Sequence, residues 1–334
     1  MLSSIKRGQN KDRIRCLTVI LSLFLYGCIK EQPNDVFKYP NDFPSVNYKN
    51  PENQLTSNKI YLGRVLFYDP NLSSTRTISC GSCHAQAHGF ADHNLPLSFG
   101  VLNRMGKRNS PALQNLAWNT HFMWDGGITH LDVMPIAPIT DVNEMDLPLG
   151  LAVERIRENK QYVPLFKKAF GDTVINERTI LWALSQFMLS LVSDQSKYDQ
   201  VRRGKAQFSD LEKAGYSVFK NHCTACHSEP LLTNNQFEYN GLTKKTEDLG
   251  RYRITQIKED SFHFKVPSLR NVALTYPYMH DGSFANLNEV LKAYQTKFKL
   301  ENQDVEGLKA FLHTLTDNQF ISNFNHGEIH PFKP

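Results

Sequence analysis

Two five-residue runs, Cys80-Gly81-Ser82-Cys83-His84 and Cys223-Thr224-Ala225-Cys226-His227, constrain this chain more than any other feature. A Cys-x-x-Cys-His run is the attachment site of a c-type haem. Two thiols add across the vinyl groups of one porphyrin, and the adjacent histidine reaches the iron as proximal ligand. A redox dithiol or half of a zinc site is the competing reading of a lone Cys-x-x-Cys. Here a histidine follows both pairs directly, and the two runs use four of the six cysteines, which leaves too few for a four-sulfur site. The sequence therefore predicts two covalently bound c-type haems, with His84 and His227 as proximal iron ligands.

At 334 residues, two domains are the natural expectation. The formal charge of +5 is concentrated at the start: residues 1–27 hold five Lys/Arg and one acid, and the remainder carries 33 basic against 32 acidic residues. That balance argues against nucleic-acid binding by bulk charge. Residues 1–27 read as an export signal, a basic stretch followed by the short apolar run Cys16 to Tyr26. The run ends Leu25-Tyr26-Gly27-Cys28, which resembles a lipoprotein signal with Cys28 as the lipidated residue and a membrane anchor. Export to the periplasm suits the haem motifs, because c-type haem is attached outside the bacterial cytoplasm.

Residues 28–56 are rich in Asn, Pro, Lys and Asp without periodicity, and read as a tether. A helix is expected from Ser57, with Leu62, Val65 and Leu66 on one face and Pro70 as its stop. Residues 85–146 look irregular, as expected where a cofactor supplies much of the apolar core. Helical patterns follow over 148–170, broken near Asn159-Lys160, and from Asn176 to Leu191. The charged stretch 193–205 reads as the joint between domains, placed at 57–200 and 201–334. A further helix starts at Ser209, with Glu212 completing a capping box and Leu211, Ala214, Val218 and Phe219 facing inward. Each half thus feeds a helix into a haem motif, a weak internal duplication. The predicted fold class is mainly α: two cytochrome c-like haem domains with extensive irregular loops.

The flanking segments are more specific. Leu62-Gly63-Arg64-Val65-Leu66-Phe67-Tyr68-Asp69-Pro70 precedes the first motif and Gly89-Phe90-Ala91-Asp92 follows it. Then come Phe122-Met123-Trp124-Asp125-Gly126, Glu144-Met145, Lys265-Val266-Pro267-Ser268-Leu269-Arg270-Asn271-Val272 and Thr275-Tyr276-Pro277-Tyr278-Met279-His280-Asp281-Gly282. Over roughly residues 57–315 the chain resembles the bacterial dihaem cytochrome c peroxidase family, which includes MauG.

The resemblance implies a division of labour. The N-terminal half resembles the peroxidatic haem domain and the C-terminal half the electron-transfer domain. Val101 stands where some members carry a blocking histidine, so the first haem is expected to have an open distal side. His88 and His93 are alternative ligands close in sequence. Glu144 matches the distal acid and Trp124 the residue that relays electrons between the haems. Gly127 and Met134 replace a frequent arginine and glutamine. Tyr294 falls on the inward face of a helix capped by Asn286, at the position of the second haem's distal ligand, with tyrosine there as in the MauG branch. Met279, the only methionine beyond His227, is the alternative ligand. Asn109, Thr275 and Pro277 match an interdomain calcium site of oxygen donors.

The implied function is reduction of hydrogen peroxide with electrons from a small cytochrome c or cupredoxin. Two alternatives stand beside it. One is a MauG-like oxidase that acts on residues of a partner protein through high-valent haem. The other is a non-enzymatic dihaem electron carrier.

Overall fold

A computed structural model describes residues 39–92, 94–242, 247–329 and 332. Four helices build the first core: α1 (Ser57–Phe67), α2 (Leu149–Glu158), α3 (Tyr162–Phe170) and α4 (Glu177–Ser190). Thr56 caps α1 by accepting from the Lys59 N–H, and Asn176 and Thr179 form a capping box on α4. Leu62, Val65, Leu66 and Phe67 are almost wholly buried, each contributing about 1.5–3 kcal/mol of apolar burial. α1 packs chiefly on α4, and Gly63 makes that crossing possible: a Cβ there would lie 1.9 Å from the Ala183 carbonyl oxygen.

The second core repeats the device. α5 (Lys197–Arg202) leads into α6 (Asp210–His222), which is capped by the expected Ser209–Glu212 box. α7 (Leu287–Phe298) and α8 (Asn302–His313) follow. α6 crosses α8 at Gly215, where a Cβ would stand 1.8 Å from the Gly307 carbonyl oxygen. This corrects the expected inward face: Leu211 and Ala214 are exposed, while Gly215 and Phe219 are buried. Two short strands, β1 (Phe237–Glu238) and β2 (Phe264–Lys265), pair antiparallel.

The duplication goes further than the haem motifs. Asn115 and Asn271, Met123 and Met279, and Gly126 and Gly282 all have positive φ, and each pair is 156 residues apart. The bridges Phe122–Ile128 and Tyr278–Phe284 keep the same register. The halves meet at Ser193, which is fully buried. The Asn115 side chain donates to its carbonyl (3.0 Å) and accepts its N–H (2.9 Å), while Asn271 Nδ2 donates to its hydroxyl (3.1 Å). The stretch read as a joint is therefore part of the packed interior. In α5, Asp199 forms a wholly buried bidentate pair with Arg270, 2.8 Å on each arm.

Two chain ends depart from expectation. Residues 39–56 are packed and do not form a tether. Phe43 lies edge-on to Trp118, whose Nε1 donates to the Pro44 carbonyl at 2.7 Å. Tyr48, Asn50, Asn53 and Ser185 all converge by hydrogen bonds on the buried Asp132 carboxylate. The segment from Asp317 crosses back to the first core. There Phe320 packs on Phe90, and Arg64 donates to the carbonyls of Phe324 (2.5 Å) and Gly327 (2.6 Å). The signal segment 1–27, Cys28 and His93 lie outside the described residues. Among the described residues no helix is long and apolar enough to cross a membrane.

Candidate haem and peroxide site

Cys80–Cys83 form one helical turn, with the Ser79 N–H donating to Ser82 Oγ at 3.0 Å. His84 then turns its Nδ1 to the Phe90 carbonyl at 2.9 Å. His227 does the same to Leu232 at 3.1 Å. Both accepting residues have positive φ, a left-handed kink that aims the carbonyl at the ring. A carbonyl only accepts, so Nδ1 carries the proton and Nε2 keeps the lone pair that binds a metal. Burial pulls both imidazoles down, His227 to about 4, so both are neutral at pH 7.

Burial pushes the thiols up, Cys80 to about 12, Cys83 to about 11 and Cys223 to about 12; Cys226 is also raised. A redox dithiol needs a lowered pKa, so these pairs lack that character. The four thiols form no disulfide, and among the described residues no three His, Cys, Asp or Glu side chains group as a metal cluster. The arrangement fits covalent haem attachment and does not fit zinc.

Over the first motif, Val101 and Glu144 come together. The Val101 N–H donates to the Glu144 carbonyl at 2.8 Å, and Val101 is fully buried. Gly100 permits the approach, since a Cβ there would lie 2.2 Å from the Asn143 carbonyl oxygen. Burial, then the nearby Asp141, raises the Glu144 carboxyl to about 7. Its charge acts on both Cys80 and Cys83, which places it within electrostatic reach of the attachment thiols. The His88 ring lies edge-on to Tyr276, 6.4 Å between centroids.

Trp124 stands in the seam between the halves. Its Nε1 donates to the Asn109 carbonyl at 2.7 Å, and its own carbonyl accepts the Lys265 N–H at 2.8 Å. Asn109 N–H in turn donates to the His280 carbonyl at 2.7 Å. Arg108 clamps the same turn, reaching Asp125 at 2.6 Å and Asp248 at 2.6 Å. The second half reaches this turn too: Arg251 Nη1 donates to the carbonyls of Asp125 (2.9 Å) and Gly126 (3.0 Å). No local pattern announced it, because 125 residues separate it from Gly126. Asn109 Nδ2 reaches the Leu95 and Pro96 carbonyls, and its Oδ1 accepts no hydrogen bond among the described residues. A free amide oxygen has the chemistry of a hard-cation donor.

At the second motif, Tyr294 stacks on Phe298, with centroids 5.6 Å apart. Burial, then Cys223 and Cys226, pushes its phenol up to about 12, so the hydroxyl shares the space of the attachment thiols. The Met279 Sδ accepts from Asn240 Nδ2 at 3.2 Å. In the 156-residue register Pro138 takes the place of Tyr294 in the first half.

Comparisons with known proteins agree with this geometry. A family model described as di-haem cytochrome c peroxidase matches residues 57–207, and a cytochrome c model matches residues 212–316. The chain is 34% identical over 302 residues to the methylamine utilization protein MauG of Methylophilus methylotrophus, covering 85% of this chain and 88% of that one. It is 35% identical over 267 residues to the cytochrome c551 peroxidase of Nitrosomonas europaea, covering 77% and 80%. Among solved structures, a MauG-like protein associated with microbial copper homeostasis superposes with a TM-score of 0.80 at 28% identity, covering 87% of this chain and 98% of that one.

Proposed function

This chain belongs to the di-haem cytochrome c peroxidase family and is an oxidoreductase of that type, and we propose that its residues divide the work as follows. Cys80 and Cys83 hold one c-type haem and Cys223 and Cys226 the other, with His84 and His227 offering Nε2 to the irons. The haems supply the redox chemistry, and the protein supplies proton transfer, access and electronic coupling.

Hydrogen peroxide is reduced on the first side. Val101, and Pro138 in the register of Tyr294, offer no iron ligand, so a haem held there would be left open to peroxide. Glu144 takes the proton from one peroxide oxygen and returns it to the leaving oxygen. The single observation that carries this reading is a carboxyl raised to about 7 beside Val101 and the first attachment thiols. A group balanced near the working pH transfers protons in both directions efficiently. Trp124 couples the two halves. Electrons enter from a small cytochrome c or cupredoxin. Replacing Glu144 by Gln should lower peroxide turnover by roughly 10²–10⁴-fold; an unchanged rate refutes the assignment.

A MauG-like oxidation of a partner protein is the second reading, favoured by Tyr294 beside Cys223 and Cys226. A phenolate ligand lowers an iron's reduction potential and disfavours its use as a simple electron store. Steady-state oxidation of a reduced cytochrome c separates the two readings: rapid turnover supports the peroxidase, its absence the oxidase. Asn109 Oδ1 with the Thr275 and Pro277 carbonyls forms a calcium site completed by waters. Export to the periplasm with a lipid anchor at Cys28 completes the proposal.

A further inference from the structure

The β1–β2 ribbon carries a cation that no described residue neutralises. Lys265 lies on β2 opposite Phe237 of β1 and shares its face. Glu238, the next residue along β1, alternates to the other face. The Lys265 ammonium makes no ion pair or hydrogen bond to any described residue. The carboxylates of the seam, Asp125 and Asp248, are both engaged by Arg108 at 2.6 Å. Arg251 joins Lys265 on the same face, its guanidinium 4.3 Å from the Phe237 ring, and its Nη1 donates to the backbone carbonyls of Asp125 and Gly126. The His121 ring packs on Phe237 at 5.4 Å; burial first, then Arg251 and Lys265, holds it below its usual pKa. Positive charge thus converges here.

Lys265 is only partly covered by area, yet burial alone draws its ammonium down to about 8. His227 and Tyr294 share that combination of strong desolvation and incomplete covering. The ribbon is tied to the second motif: the Asn234 N–H donates to the Cys226 carbonyl at 2.8 Å, and the Val266 N–H to the Gln236 carbonyl at 2.9 Å. Lys265 is also two residues from Pro267, whose carbonyl helps to hold the His227 ring. A desolvated ammonium with no counter-charge is unfavourable, and a haem would bring carboxylates of its own.

We propose that Lys265, reinforced by Arg251, holds a propionate of the haem attached at Cys223 and Cys226, and that this ammonium raises the reduction potential of that haem. The proposal rests on reading the second motif as a haem site. A positive charge fixed near the iron favours the electron-rich state, and removing it leaves the propionate charge uncompensated.

The test uses the haem-loaded protein with Lys265→Met, which keeps the aliphatic stem, and Lys265→Arg, which keeps the charge. Attached haems are first counted by mass. Redox titration should then show the second haem's midpoint lowered in Lys265→Met and close to wild type in Lys265→Arg. Resonance Raman should show the propionate bending band shifted only in Lys265→Met. Lys265→Gln gives the same charge loss if the methionine variant does not accumulate. A Lys265→Met or Lys265→Gln protein with two attached haems, the wild-type midpoint and the wild-type propionate band overturns the proposal. Fewer than two haems on the wild type would instead overturn the haem reading itself.

Discussion

The backbone of Val101 is hydrogen-bonded to the backbone of Glu144 at 2.8 Å, across 42 intervening residues. The contact holds an apolar side chain beside a carboxyl that titrates in the working pH range. It also predicts a pH profile. Glu144 accepts a proton from peroxide only as the carboxylate, and its carboxyl is raised to about 7. The rate of reaction with peroxide should therefore rise with pH, with an inflection near 7, and flatten above it. In Glu144→Gln that inflection should vanish along with most of the rate. Stopped-flow mixing with peroxide between pH 5 and 9 measures both.

The helix crossings predict opposite effects of one substitution at different glycines. At Gly215 and Gly63 a methyl group meets backbone within 2 Å. Gly215→Ala or Gly63→Ala should destabilise the fold by about 1–3 kcal/mol through overpacking. Gly150, in the first turn of α2, has open space around a Cβ. Gly150→Ala should be neutral or stabilise by up to about 1 kcal/mol. Denaturant midpoints of the three variants decide the matter.

The Asp199–Arg270 pair predicts an acid sensitivity. Burial raises the Asp199 carboxyl, but hydrogen bonding and charge from Arg270 outweigh it and hold the group below its usual range. A depressed carboxylate contributes stability above its unfolded pKa, and that stability is lost as pH falls through the folded value. Asp199→Ala should cost about 3–5 kcal/mol, because it leaves a buried guanidinium unpaired. Adding Arg270→Met should recover part of that loss, as measured by urea unfolding at pH 7.

Tyr294 predicts a spectroscopic change. In the unmutated ferric protein no methionine–iron charge-transfer band should be present, since Met279 sulfur is held by Asn240. Tyr294→Met should introduce that band and raise the second haem's potential. Near-infrared absorption of the two ferric proteins checks this directly.

Much of this was legible locally. The haem motifs are contiguous, and the capped helices α1, α4, α6 and α7 announce themselves through Ser, Thr and Asn caps and apolar spacing. What failed was long-range. Residues 39–56 have no periodicity, and their order comes from Asp132 and Trp118, far along the chain. The inward face of α6 was misread because glycine carries no hydropathy signal, and Gly215 is buried only by virtue of Gly307. Lys265 stands in a segment that carries the family resemblance, but its lack of a counter-charge shows only once the seam around it is assembled.

The most direct test is an electron-paramagnetic-resonance spectrum of the resting ferric protein. The account predicts one high-spin signal from the iron beside Val101 and Glu144, together with one low-spin signal from the iron beside Tyr294. Two low-spin signals with no high-spin component would mean that both irons are capped on both sides, and would contradict it.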